Sequence, residues 1–202
     1  LHNLAIMRIM AGDKDGAVAL QRGLVETQVH RLGAEHPQTL AERGNLSNML
    51  IDNGKAKEAL PIATAVLDAD TRVLGAEHPQ TVRAKLNLSS LYARLGQFDK
   101  TLAMHQEVID ARKRLLGPKH PDTLYIMINR AGTLQQAKRP KESLAMLQWL
   151  LPQAREVLGM QHPQTQAALQ VQADDADDLG DTRLEIASYR ELLDARAAAL
   201  GA

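Results

Sequence analysis

Between residues 98 and 116 the apolar or packing side chains Phe98, Leu102, His105, Val108, Ile109, Leu115 and Leu116 recur near a helical spacing, which predicts an amphipathic helix. Upstream, Pro79 followed by Thr81 and Val82 predicts the first turn of another helix, where the missing proline N–H would be unbonded anyway. That helix runs to Leu95, and Gly96 suits a tight turn needing positive φ. Leu116-Gly117 ends the second helix. A glycine just past the last apolar residue is expected as a left-handed cap, and Pro121 prevents continuation. Two helices of about 16 and about 20 residues joined by short turns leave no residues for strands.

The same pattern recurs along the chain. Leu-Gly-x-x-His-Pro-x-Thr begins at Leu32, Leu74, Leu116 and Leu158, and a truncated copy starts at Leu200; the glycines at 33, 75, 117, 159 and 201 are each 42 residues apart. Other columns keep this period: Asn3, Asn45, Asn87 and Asn129; the turn glycines Gly12, Gly54, Gly96 and Gly180; the small residues Ala17, Ala59, Thr101 and Ser143. One helix pair cannot bury its own apolar face, so neighbouring pairs must stack. The expectation is a single array over residues 1–202, with a partial repeat at 1–31, full repeats at 32–73, 74–115, 116–157 and 158–199, and a further start at 200–202. Its first A helix begins part-way through the repeat at Leu1, and its last pair lacks a polar capping helix, so open ends that self-associate are one expected interaction surface.

Composition narrows the function classes. Lys and Arg total 24 against 24 Asp and Glu, so no net basic field exists to hold nucleic acid. Five aromatics are too few for base-stacking platforms and disfavour an all-β core. Without cysteine there is no disulfide framework or thiolate metal site, and no apolar run is long enough to span a membrane. A cytoplasmic location is the expectation. The charge is unevenly spread: residues 158–202 hold eight acids and three bases, net −5, so residues 1–157 carry net +5. Such a gradient could orient a bound peptide.

The run H-P-x-T-L-x-x-x-x-N-L-(small)-x-x-L-x-x-x-G-x-x-x-(small) is matched nearly in full from His36 to Ala59, well from His78 to Thr101, and loosely from His120 to Ser143. It resembles the tetratricopeptide repeat, in the 42-residue variety of kinesin light chains and many bacterial signalling proteins. The resemblance implies an all-α, right-handed α-α superhelix of about five helix-turn-helix repeats. It also implies a non-enzymatic interaction scaffold without cofactors. Its A helices would line a concave groove for a peptide or partner helix, within a larger bacterial regulatory protein. Asn45, Asn87 and Asn129 match the groove asparagine that holds a peptide backbone, a task for which an amide offers donor and acceptor together. Arg83 and Tyr125 match groove positions one turn earlier; Asn48 and Ser90 lie one turn later, and Asp52 and Arg94 near the helix end. The alternative for the asparagines is bonding to neighbouring helix backbone. In the last repeat Val171 takes the asparagine column, while Asp174, Asp177 and Asp178 fill groove positions as candidate contacts for a basic partner segment.

Other polar features favour structural roles. His36, His78, His120 and His162 stand in equivalent places about 10 Å apart, too far to share a zinc ion, and read as loop caps before proline. His105 reads as a partly buried structural histidine, and Trp149 as core packing with an interface anchor as the alternative. Asp174 with Asp178, or Asp175 with Asp178, shares a helix face able to hold a divalent cation; contact with Arg130, or simple solvation, is the bland reading. Arg130 replaces Leu46 and Leu88 of earlier repeats, and Lys138 replaces the turn glycine, which makes the third full repeat the expected weak link.

Overall fold

The computed structural model describes residues 8 and 12–200, all helix, turn or loop, with no strand among them. Asn3, the start of the first A helix and the glycine at 201 lie outside the described residues. The helices are α1 (Lys14–Leu32), α2 (Pro37–Asp52), α3 (Ala56–Leu74), α4 (Pro79–Arg94), α5 (Phe98–Leu116), α6 (Pro121–Gln136), α7 (Pro140–Val157), α8 (Pro163–Asp178) and α9 (Thr182–Leu200). The even-numbered A helices α2, α4, α6 and α8 each have 16 residues, and the B helices 18 or 19.

Each A helix starts in the same way. The imidazole Nδ1 of His36, His78, His120 and His162 accepts a hydrogen bond at 3.2 Å from the backbone N–H two residues on, and the following proline opens the helix. The four histidines are therefore N-caps. Helix ends are more specialised than a left-handed cap. Gly117, at φ 92° and ψ 162°, occupies a region essentially reserved for glycine, and its N–H returns to the Lys113 carbonyl at 3.1 Å. The A-to-B turn at Gly96 does have the expected positive φ, 70°. Lys138, in the same column, is forced to φ 57° and is the only non-glycine residue at positive φ among those described.

The described residues fall into two compact units, one ending at Leu95 and one beginning at Gly96. In the first, α2 packs on α1 and α3, and α3 on α4, so that α2 and α4 are neighbours over α3. Leu40, Leu46, Leu50, Ala59, Ala63, Leu88 and Leu91 fill its core. In the second, α6 packs on α5, α7 and α8, and α8 on α7 and α9, around Leu124, Ile126, Leu134, Leu147, Leu150 and Leu169. The small column is buried throughout, at Ala17, Ala59, Thr101 and Ser143, because close helix approach leaves no room for more.

Two apolar expectations fail. Leu115 and Leu116, placed on the packing face by spacing alone, are exposed in the last turn of α5. Trp149 is 42% exposed, on the side of α7 opposite the buried Leu147, Leu150 and Leu151. His105 is buried as expected, and desolvation, with the Arg130 charge beside it, pushes its pKa down to about 4. Arg130 does not reach the aspartates: its guanidinium donates to the Leu102 carbonyl of α5, which lets a cation occupy a column that is leucine elsewhere.

Candidate functional site

In the first unit, α2 and α4 form the two walls of a groove and α3 its floor. Its upper part is a recess of about 140 Å³ whose polar lining includes Asn45, Asn48, Arg83 and Asn87, with Asp70 and Gln80 at the base and Leu40, Val66 and Ala84 between them. An adjoining recess of about 280 Å³ is lined by Asn48, Ile51, Asp52, Asn87, Ser90 and Arg94. Asn48 and Asn87 belong to both, so the recesses form one continuous polar track. The helical period causes this alignment, because Arg83, Asn87, Ser90 and Arg94 recur at three- and four-residue steps along one face of α4.

The structure thus brings together seven of the nine groove positions inferred from sequence: Asn45, Asn48, Asp52, Arg83, Asn87, Ser90 and Arg94. Tyr125, which is exposed, and half-buried Asn129 lie on α6 in the second unit. The asparagines do not bond to neighbouring helix backbone. Asn45 Nδ2 donates to Glu42 Oε2 in its own helix at 3.2 Å, and Glu42 also accepts from Gln21 Nε2 at 2.7 Å. Ser90 Oγ donates to the Leu86 carbonyl at 3.1 Å. The side chains of Asn48, Asn87, Arg83 and Arg94 have no hydrogen bond or ion pair among the described residues. Two amides and two guanidiniums therefore face the groove with their donors available.

Asp70 is a groove residue that the sequence reading missed. It is 1% exposed; Oδ1 accepts from Gln80 Nε2 at 3.0 Å, while buried Oδ2 has no hydrogen-bond partner. Burial pushes its carboxyl above the usual range, against the Gln80 hydrogen bond and the nearby Arg83 and His78 charges. The available signal was a broken column: the equivalent residues are Gln28, Arg112 and Ala154. In the second unit the polarity of this link is reversed, with Arg112 donating to the Asp122 carbonyl at 2.9 Å and lying 3.3 Å from its carboxylate.

In the second unit Gln135, Gln136, Lys138, Asp174, Asp177 and Asp178 line an open recess of about 350 Å³, so the three candidate aspartates do share one site. Asp174 is already well bonded, accepting from Gln135 Nε2 at 2.8 Å, Gln170 Nε2 at 2.8 Å and Tyr189 OH at 2.9 Å. Asp178 pairs with Lys138 at 3.2 Å, and Asp177 is exposed. These partners, and not Arg130, offset the acids at the helix C-terminus. Asp175 does not join a cation-holding face. It is 0% exposed, and desolvation first, with Asp178 and Asp174 adding, raises its pKa to about 6 against the Ser143 hydroxyl and Lys138. No group of three or more His, Asp or Glu side chains among the described residues is placed to hold a metal ion, and no described helix is long and apolar enough to cross a membrane.

The comparisons with known proteins agree with this geometry. Tetratricopeptide-repeat profiles match residues 39–113 and 83–155, and another matches residues 1–38. No curated protein matches the chain. Among solved structures, kinesin light chain TPR-like repeats from Podosopora anserina superpose with a TM-score of 0.85 at 23% identity, covering 98% of this chain and 94% of that one. A single-residue variant of those repeats gives 0.88 at 22% identity, covering 100% and 95%. BtubC (BKLC) from P. vanneervenii gives 0.83 at 17% identity, covering 98% and 79%. These likenesses carry the fold, all-α and built of kinesin-light-chain-like helix pairs. With the profiles spanning most of its length, the chain belongs to the tetratricopeptide repeat family.

Proposed function

We propose that this chain binds an extended peptide or partner helix along the groove between α2 and α4, as a non-enzymatic module of a larger bacterial regulatory protein. The repeat family supports a general protein-interaction role. The carrying observation for the groove is the polar track through both recesses, where Asn48, Asn87, Arg83 and Arg94 present donors without internal partners. A peptide backbone offers alternating carbonyls and N–H groups, which side-chain amides can meet in both directions. The regulatory setting is inferred from the family resemblance, and Asp177 beside Asp178 extends the same reading to a basic segment at α8.

The test is a pull-down from source-cell lysate, read by mass spectrometry, with wild type and an Asn48→Ala, Asn87→Ala variant of verified fold. Capture of a partner by the wild type alone is expected. Equal capture by both proteins would remove the groove from consideration.

A second reading, self-association of the array, is favoured by α9, where Ile186 and Leu193 are exposed two turns apart on one face. Concentration-dependent sedimentation that disappears in Leu193→Glu is its expected signature; a monomer at all concentrations counts against it.

A further inference from the structure

The upper recess contains a chemical asymmetry that a peptide backbone alone does not explain. At its base lies the buried carboxylate of Asp70, one of the lining residues, with one oxygen bonded to Gln80 and the other, Oδ2, buried without a partner. Its rim carries the Arg83 guanidinium, near enough to act electrostatically on Asp70 yet making no ion pair with it. An acceptor and a set of donors thus line one recess without satisfying each other. At about 140 Å³ it is close to the roughly 150 Å³ cavity that admits a benzene-sized molecule, enough for the end of one side chain.

Charge decides which end group fits. A lysine ammonium would meet Asp70 but also the like charge of Arg83, and would incur a desolvation cost of several kcal/mol. A carboxylate would suit Arg83 and oppose Asp70. A neutral group carrying donor and acceptor together satisfies both walls without importing charge.

We propose that this recess is a specificity pocket for a carboxamide side chain, a glutamine or asparagine of the bound peptide, whose NH₂ donates to Asp70 Oδ2 and whose carbonyl accepts from Arg83. The pocket belongs to this repeat alone, because the residues equivalent to Asp70 in the neighbouring repeats are Gln28, Arg112 and Ala154. It rests on the groove reading above and adds the identity of one ligand side chain.

The experiment is selection of a randomised phage-displayed peptide library on the immobilised full chain, in parallel for wild type, Asp70→Leu, Arg83→Ala and Asn48→Ala/Asn87→Ala, with helical circular dichroism confirming each fold. Expected is enrichment of glutamine or asparagine at one fixed position by roughly tenfold, the size of one charge-assisted hydrogen bond. Enrichment falls to background on Asp70→Leu, and on Arg83→Ala the preference moves to lysine because Asp70 is left as a lone charge. Should Asp70→Leu not fold, Arg83→Ala, a change on the groove face of α4, decides alone. Peptides that need Asn48 and Asn87 but show no carboxamide position, prefer lysine on the wild type, or keep their preference in Arg83→Ala overturn the pocket and leave the groove standing. No enrichment, or enrichment indifferent to Asn48 and Asn87, overturns both.

Discussion

The Lys138 ammonium stands 3.2 Å from the Asp178 carboxylate, joining the α6–α7 turn to the end of α8, while its own backbone is held at φ 57°. The side chain gains an ion pair, and the backbone takes a conformation that β-carbon sterics disfavour. Lys138 is largely solvated and Asp178 partly so, so the pair contributes about 0–1 kcal/mol, against about 1–2 kcal/mol for a left-handed non-glycine residue. Lys138→Gly is expected to raise the melting temperature by a few degrees, about 2–4 °C per kcal/mol at this size. Calorimetry showing no change would mean the ion pair offsets the strain in full, and a decrease that it outweighs it.

Asp175 supplies a pH dependence of definite sign. Its native pKa of about 6 lies above the ordinary 3.8, so the folded state holds the proton more tightly than the unfolded one. Stability from this group is full below the unfolded value and is lost as pH rises through about 6. The loss is about 3 kcal/mol. Asp175→Asn should therefore melt higher than wild type near neutrality and at the same temperature in acid. A constant difference across the range would place the effect in packing.

His105 tilts the profile the other way. Burial beside Arg130 holds it neutral, with a native pKa of about 4 against an ordinary 6.5. The unfolded chain takes the proton first, so stability is full above the unfolded value and declines as pH falls through about 4. His105→Gln should resist acid better than wild type. Because Asp175 acts oppositely over an overlapping range, the double variant should recover a flatter profile than either single change; thermal melts across pH test this directly.

The histidine caps predict a graded series. Replacing His120 by Ala removes the acceptor for the Asp122 N–H and should cost about 0.5–2 kcal/mol, whereas His120→Asn, which keeps an acceptor at the cap, should retain most of it. Equal melting temperatures for the two variants would show that Pro121 alone sets the start of α6.

Much of this architecture was legible because it is periodic. Columns repeated at 42 residues disclose the helix pairs, the turns, the caps and the buried small residues, each through a local rule that one chain suffices to apply. The family resemblance, carried onto these repeats residue by residue, points to Asn48, Asn87, Arg83 and Arg94, which line the groove walls. What escaped was aperiodic. Asp70 looks like one more acid on helix B until α3 is seen to form the floor between α2 and α4, and Asp175 looks like one member of a solvated cluster until its face turns out to be the inner one. Likewise, Leu115 and Leu116 follow the spacing rule, yet the last turn of α5 is exposed. Burial of these residues is set by elements distant in sequence, which no single-helix pattern encodes.

The shared histidine cap has a consequence of another kind. One atom type, imidazole Nδ1, accepts at the start of α2, α4, α6 and α8, so one chemical event acts at all four places. An acylating reagent that claims that lone pair withdraws the same bond from α2, α4, α6 and α8 together, and these four repeats meet it as a common-mode disturbance, with none of the four left as a reference.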